Sequence, residues 1–135
     1  MSDTPAPWRD PRKILPALWA FLMFNFIYCD ILGLYYAPDL NQLIDGHIGD
    51  LDVTQGFLLG AGLLMETSMV MFLLASLAPR KVVRVVSMVV PALLVVAQVS
   101  SLFVGDGNTL HYVFFSIVEI GTLIVIAIVG SRWRA

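Results

Sequence analysis

Four long apolar stretches dominate the chain, over residues 14–37, 53–77, 82–104 and 110–129, with short polar segments between them. Each reaches the roughly 20 residues that a helix rising ~1.5 Å per residue needs to cross a ~30 Å hydrocarbon layer. Backbone groups in lipid must satisfy one another within the segment, which selects helices over open strands. The pattern therefore predicts an all-α fold: one integral membrane domain over 1–135, built as a bundle of four transmembrane helices. The first stretch is expected to be retained and not cleaved as a signal. Asn25 and Asp30 interrupt it, and Tyr35-Tyr36-Ala37-Pro38 offers no small-residue cleavage site. In the longest connection, 38–52, Pro38 predicts a short helix over Asp39–Ile44 that Gly46 ends, acting as a lid or a plain connector.

Composition agrees with that pattern. Hydrophobic residues make up 59% and charged residues 13% of the sequence, against about 25% charged in a soluble domain. Charge adds an orientation. The eight Lys and Arg residues fall before the first helix (Arg9, Arg12, Lys13), between the second and third (Arg80, Lys81, Arg84) and after the fourth (Arg132, Arg134). The other two connections hold only acids, Asp39, Asp45, Asp50, Asp52 and Asp106. The positive-inside rule then predicts a multi-pass protein of the cell membrane with both termini cytoplasmic. The basic residues read as topology signals and lipid-headgroup contacts, and nucleic acid is not an expected partner. Trp8, Trp19 and Trp133 fit interfacial anchors near the cytoplasmic face. The single cysteine, Cys29, excludes an intrachain disulfide and a paired-cysteine redox site.

The candidate chemistry lies in polar residues within the apolar stretches. Asp30, Glu66 and Glu119 are acids at membrane depth, where a lone charge costs several kcal/mol and such residues face a bundle interior or a water-filled cavity. The plain alternative is a neutral acid bonded to a neighbouring helix as polar glue. Counted from the outer helix ends at ~1.5 Å per residue, Gln98 and Asp30 lie about 9–10 Å deep, Glu119 about 14 Å and Glu66 about 19 Å. Asn25 falls near the midplane and His111 at the outer rim. These positions predict a polar pocket open to the outer face above an aliphatic floor.

Helical phase groups the candidates. Tyr112, Ser116 and Glu119 share a face of the fourth helix, with His111 at its edge. Ser87, Pro91, Leu94, Gln98 and Ser101 form a stripe on the third. Pro91 removes a donor there and is expected to free a carbonyl towards the pocket. Gln55, Leu59, Gly62, Glu66 and Leu73 form a stripe on the second. On the first, Asn25, Tyr28, Cys29 and Leu32 share a face. Asp30 lies about 140° from Asn25 and so faces either the bundle or a second subunit. Gly56-x-x-x-Gly60 is expected to seat the second helix against a neighbour within the subunit. Met65, Met69 and Met71 read as filler and His47 as a solvated loop residue. His111 and Glu119, eight residues apart, are about 12 Å apart along a helix, too far to share a metal. There is no HExxH motif, Cys/His cluster or phosphate-binding loop, so neither a metal nor another cofactor is expected.

The segments "MFNFIYCDILGL" (23–34), "METSMVMFLLASLAPRKVVR" (65–84) and "HYVFFSIVEIGTL" (111–123) resemble the signature segments of a family of small prokaryotic four-helix membrane proteins of unknown function. The resemblance covers nearly the whole chain. It implies a common polar set at Asn25, Tyr28, Asp30, Glu66, His111, Tyr112 and Glu119, and it implies no activity. Thr67-Ser68 stands where the family's second helix often carries proline. Small multidrug exporters offer a physical analogy only, since their essential acid is in the first helix.

Three functions follow from the residues. The first is a pocket that binds or transports a proton, a cation or an amine. The second is an enzyme acting on a lipid-like substrate with Glu66 and Glu119 as acid and base. The third is a non-catalytic accessory subunit of a membrane complex. The lipid bilayer is the expected surrounding, and a homodimer or larger assembly is compatible with all three.

Overall fold

The computed structural model describes residues 9–104 and 108–133; Trp8, Asp106 and Arg134 lie outside them. The elements are α1 (Pro11–Leu34), α2 (Ala37–Ile44), β1 (His47–Ile48), β2 (Leu51–Asp52), α3 (Gln55–Leu77), α4 (Arg80–Ser101) and α5 (Leu110–Arg132). Four of the five helices are long and apolar enough to cross a membrane. The fold is all-α apart from one two-residue hairpin.

Caps explain where the helices depart from the apolar stretches. α1 starts three residues before residue 14 because Asp10 accepts a hydrogen bond from Arg12 N at 3.0 Å and Pro11 fits the first turn. It stops at Leu34, so that the chain can turn and begin α2 at Ala37. Thr54 caps α3 by accepting from Phe57 N at 3.1 Å. α4 begins directly after Pro79, and α5 runs three residues past 129 to Arg132. The short helix expected over 39–44 is present from Ala37, and Gly46 ends it with φ at +84°. The hairpin that follows was not expected. Gly49, with φ at +54°, makes its turn and donates to Gln42 Oε1 at 2.9 Å, which ties the hairpin to α2.

α1 is central, packed on α3 along one side and on α5 along the other, and α4 packs on α5. α3 and α4 barely touch, although only Ala78 and Pro79 join them. One end of the bundle carries the start of α1, the end of α5 and the α3–α4 joint, with all the described Lys and Arg; we term it the basic end. The other, the hairpin end, carries α2 and the β-hairpin.

The core lies towards the basic end. Leu15, Trp19 and Leu22 of α1, Met71 of α3, Val83 of α4, and Leu123 and Ile126 of α5 are almost fully buried. Trp19 is thus a core residue, not an interfacial anchor. Trp133 is also buried in this core, at the basic end, with the Arg80 guanidinium 5.4 Å from its ring centroid. Towards the hairpin end, the last buried residue is Cys29 on α1, Ser68 on α3, Leu94 on α4 and Ser116 on α5. Beyond that boundary, in what we term the hairpin half, no described residue of the four long helices is fully buried. From Gln55 to Leu64 on α3, every residue except Phe57 is exposed.

Candidate functional site

The hairpin half has one polar wall, built by α4 and α5. Spacings of three and four residues put Gln98 and Ser101 on one face of α4, and Tyr112, Ser116 and Glu119 on one face of α5. Tyr112 Oη donates to Ser101 Oγ at 2.6 Å, and Ser101 Oγ donates to Gln98 O at 2.7 Å. One turn deeper, Gln98 Nε2 donates to Ser116 Oγ at 2.9 Å. Glu119 lies one turn deeper again, only 1% exposed, and its Oε1 has no hydrogen-bond partner among the described residues. The wall therefore runs from half-buried hydroxyls near the hairpin end down to an unpaired carboxyl oxygen at the edge of the core.

α1 supplies the adjoining side. His111 of α5 faces Gly33, with its Nε2 3.9 Å from the position of a Cβ at that glycine. Eight residues along each helix, this antiparallel register brings Asn25 to the height of Glu119. Asn25 is buried, and its Nδ2 donates to Phe21 O of its own helix at 2.8 Å. Asp30 is exposed but lies within electrostatic reach of Glu119, Cys29 and Tyr112. Tyr28 points outward, 56% exposed.

Ser68 is a member of this layer that the sequence did not reveal. Met23 and Ile27 of α1 line a small groove with Met65 and Met69 of α3. That register places Ser68 at nearly the height of Asn25, hence of Glu119. Ser68 is fully buried and its Oγ has no partner. Hydroxyls in membrane-type helices commonly bond back to the carbonyl four residues earlier, as Thr67, Ser76, Ser100 and Thr122 do at 2.8 Å. Ser68 does not, so its donor and acceptor capacity is free in the same layer as Glu119.

Several expectations are corrected. Glu66 is exposed, as are Gln55, Leu59, Gly62 and Leu73. This stripe is opposite the α3 face that buries Ser68, Met71 and Ala75. Glu66 and Glu119 therefore do not share a pocket within one chain, and the acid–base pair required by the enzyme reading is not assembled there. Gly56 and Gly60 do not seat α3 in the subunit. A Cβ at Gly60 meets nothing within 4 Å, and one at Gly56 meets only Thr54 Oγ1 at 3.7 Å. The carbonyl freed by Pro91 is that of Ser87, four residues earlier. It lies 3.4 Å from a Cβ placed at Gly130, away from the polar wall. The Nδ1 atom of His47 is shielded and unpaired, so this residue is not simply solvated.

A groove of about 540 Å³ runs over the apolar faces of α4 and α5, with Met88, Pro91, Leu123 and Ile124 among its lining residues. Among the described residues, no three His, Cys, Asp or Glu side chains come together as metal ligands do. The polar wall accordingly offers protonatable and hydrogen-bonding groups: a carboxyl, a phenol, hydroxyls and an amide. Comparison with curated proteins and with solved structures finds no match. Residues 6–135 match a family of unknown function, DUF6326, and the chain belongs to that family.

Proposed function

We propose that this is a membrane protein whose hairpin half faces the outer side and binds a small organic cation, a protonated amine, in exchange for a proton on Glu119. The basic end is cytoplasmic in this reading, as the positive-inside rule requires. The observation that carries the proposal is the fully buried Glu119 with an unpaired Oε1 at the foot of the polar wall. An ionised carboxylate there is costly without a counter-charge, so the acid stays neutral until a cation arrives to compensate it. Asp30 and Tyr112 near the mouth supply an attractive acid and a ring edge for an approaching ammonium. At the floor, an N–H donor finds the free acceptor Glu119 Oε1.

The test is proton release from the purified full-length chain in weakly buffered detergent solution on adding 2-phenylethylamine. Release accompanied by binding is expected, and Glu119→Gln removes the release while leaving the protein folded. Equal release from the Glu119→Gln variant, or no binding by the parent, rejects the proposal. The accessory-subunit reading draws on a different feature, the outward acid of α3.

A further inference from the structure

Glu66 is the central residue of α3, eleven positions from Gln55 and eleven from Leu77. At ~1.5 Å per residue it lies about 16 Å from either end of the helix. That is beyond the reach of a glutamate side chain towards either surface of a membrane. Lateral partners are missing as well. Its side chain is exposed, and no hydrogen bond or ion pair engages it among the described residues. A carboxyl facing acyl chains loses water without gaining a partner, which costs several kcal/mol.

We infer that the Glu66 face of α3 is an interface with a second copy of this chain, in which the two Glu66 carboxyls pair across a two-fold axis. The inference requires α3 to span the membrane and is independent of any role for Glu119. The face has the form of a helix-pairing seam. Gln55, Leu59, Gly62, Glu66, Met69 and Leu73 recur at alternating spacings of four and three, the 3.5-residue period of left-handed pairs. One polar residue in such a seam fixes its register. Gly60 and Gly62 leave open space where side chains would stand, so two backbones can approach closely.

The chemistry selects a copy of the same chain. An isologous interface brings a residue on the axis against itself at the same depth. Two neutral carboxyls then satisfy each other, each with one donor and one acceptor. No Lys or Arg lies at this depth on any of the four long helices, so carboxyl pairing is the self-contact open to Glu66.

Cysteine crosslinking in native membranes tests this with the full-length chain in a Cys29→Ser background. Leu59→Cys and Leu73→Cys lie on the seam, 65% and 54% exposed, and are expected to give an oxidised homodimer. Leu93→Cys on α4, 64% exposed, serves as the collision control and is expected to give none. Adding Glu66→Val should reduce seam crosslinking to the Leu93→Cys level, whereas Glu66→Gln, which still donates and accepts, should retain it. Glu66 has no bonded partner in its own subunit, so neither change is expected to prevent folding. Equal crosslinking at Leu93→Cys overturns the inference. So does seam crosslinking unaffected by Glu66→Val, or a different protein captured at the seam.

Discussion

A buried acid kept for binding and one kept for stability respond oppositely to an apolar replacement, and Glu119 is placed to separate the two. Leaving a buried polar atom unpaired costs about 1–3 kcal/mol. Glu119 Oε1 is such an atom, in a side chain only 1% exposed. Glu119→Leu removes the orphan, keeps a side chain of similar reach, and adds apolar contact near Leu123 and Ile126. After some loss to imperfect packing, the net expectation is a gain of about 1–2 kcal/mol. For a chain of this size that raises the unfolding temperature by roughly 3–10 °C. Thermal unfolding of parent and variant should be followed by intrinsic fluorescence in one detergent at one scan rate, because unfolding of such proteins is commonly irreversible. Amine binding should be lost in the same variant, a trade of function for stability. A fall of several degrees would mean that Oε1 is paired in the folded protein. Glu119 would then be structural, and the binding proposal would lose its foundation.

Two further predictions concern orientation and packing. Asp50→Cys, in a Cys29→Ser background, should react with a membrane-impermeant maleimide in intact cells, and Lys81→Cys should not; the reverse pattern inverts the assignment of both ends. Gly130→Ala sets a Cβ 2.9 Å from Ser87 Cβ, an overlap costing about 1–3 kcal/mol, and unfolding of the Ser87→Gly/Gly130→Ala pair should show part of that cost recovered. Strictly additive effects would place the strain elsewhere.

The legible part of this protein is the part where polar residues mark a phase. On α4 and α5, Gln98, Ser101, Tyr112, Ser116 and Glu119 stand out against aliphatic neighbours, and their spacing predicts the wall that forms. On α3 the same reasoning finds the line through Glu66 but not its direction. Lipid chains are as apolar as a protein core, so hydrophobicity cannot tell an inward face from an outward one. Trp19 illustrates the same ambiguity, since a tryptophan near a helix end suits both an interface and a core. Ser68 carries no sequence signal, because whether a helical serine bonds to its own backbone depends on rotamer and neighbours. Gly46 signals a helix end directly, while strands of two residues are too short for any alternation to announce the hairpin.

The one-sided placement of the core has a mechanical consequence. At the hairpin end α4 and α5 stay tied through Tyr112–Ser101 and Gln98–Ser116 and α5 meets α1 at His111 and Gly33, whereas α3 is exposed there and acts as a lever. From Met65 to Gln55, α3 extends ten residues beyond its last contact with the core, an arm of about 15 Å at ~1.5 Å per residue. Tilting that arm by about 10° displaces its tip by about 2.6 Å, close to the width of a water molecule, and leaves the packing around Trp19, Met71 and Leu123 undisturbed. The strap formed by α2 and the hairpin joins the tips of α1 and α3, and its length bounds that travel.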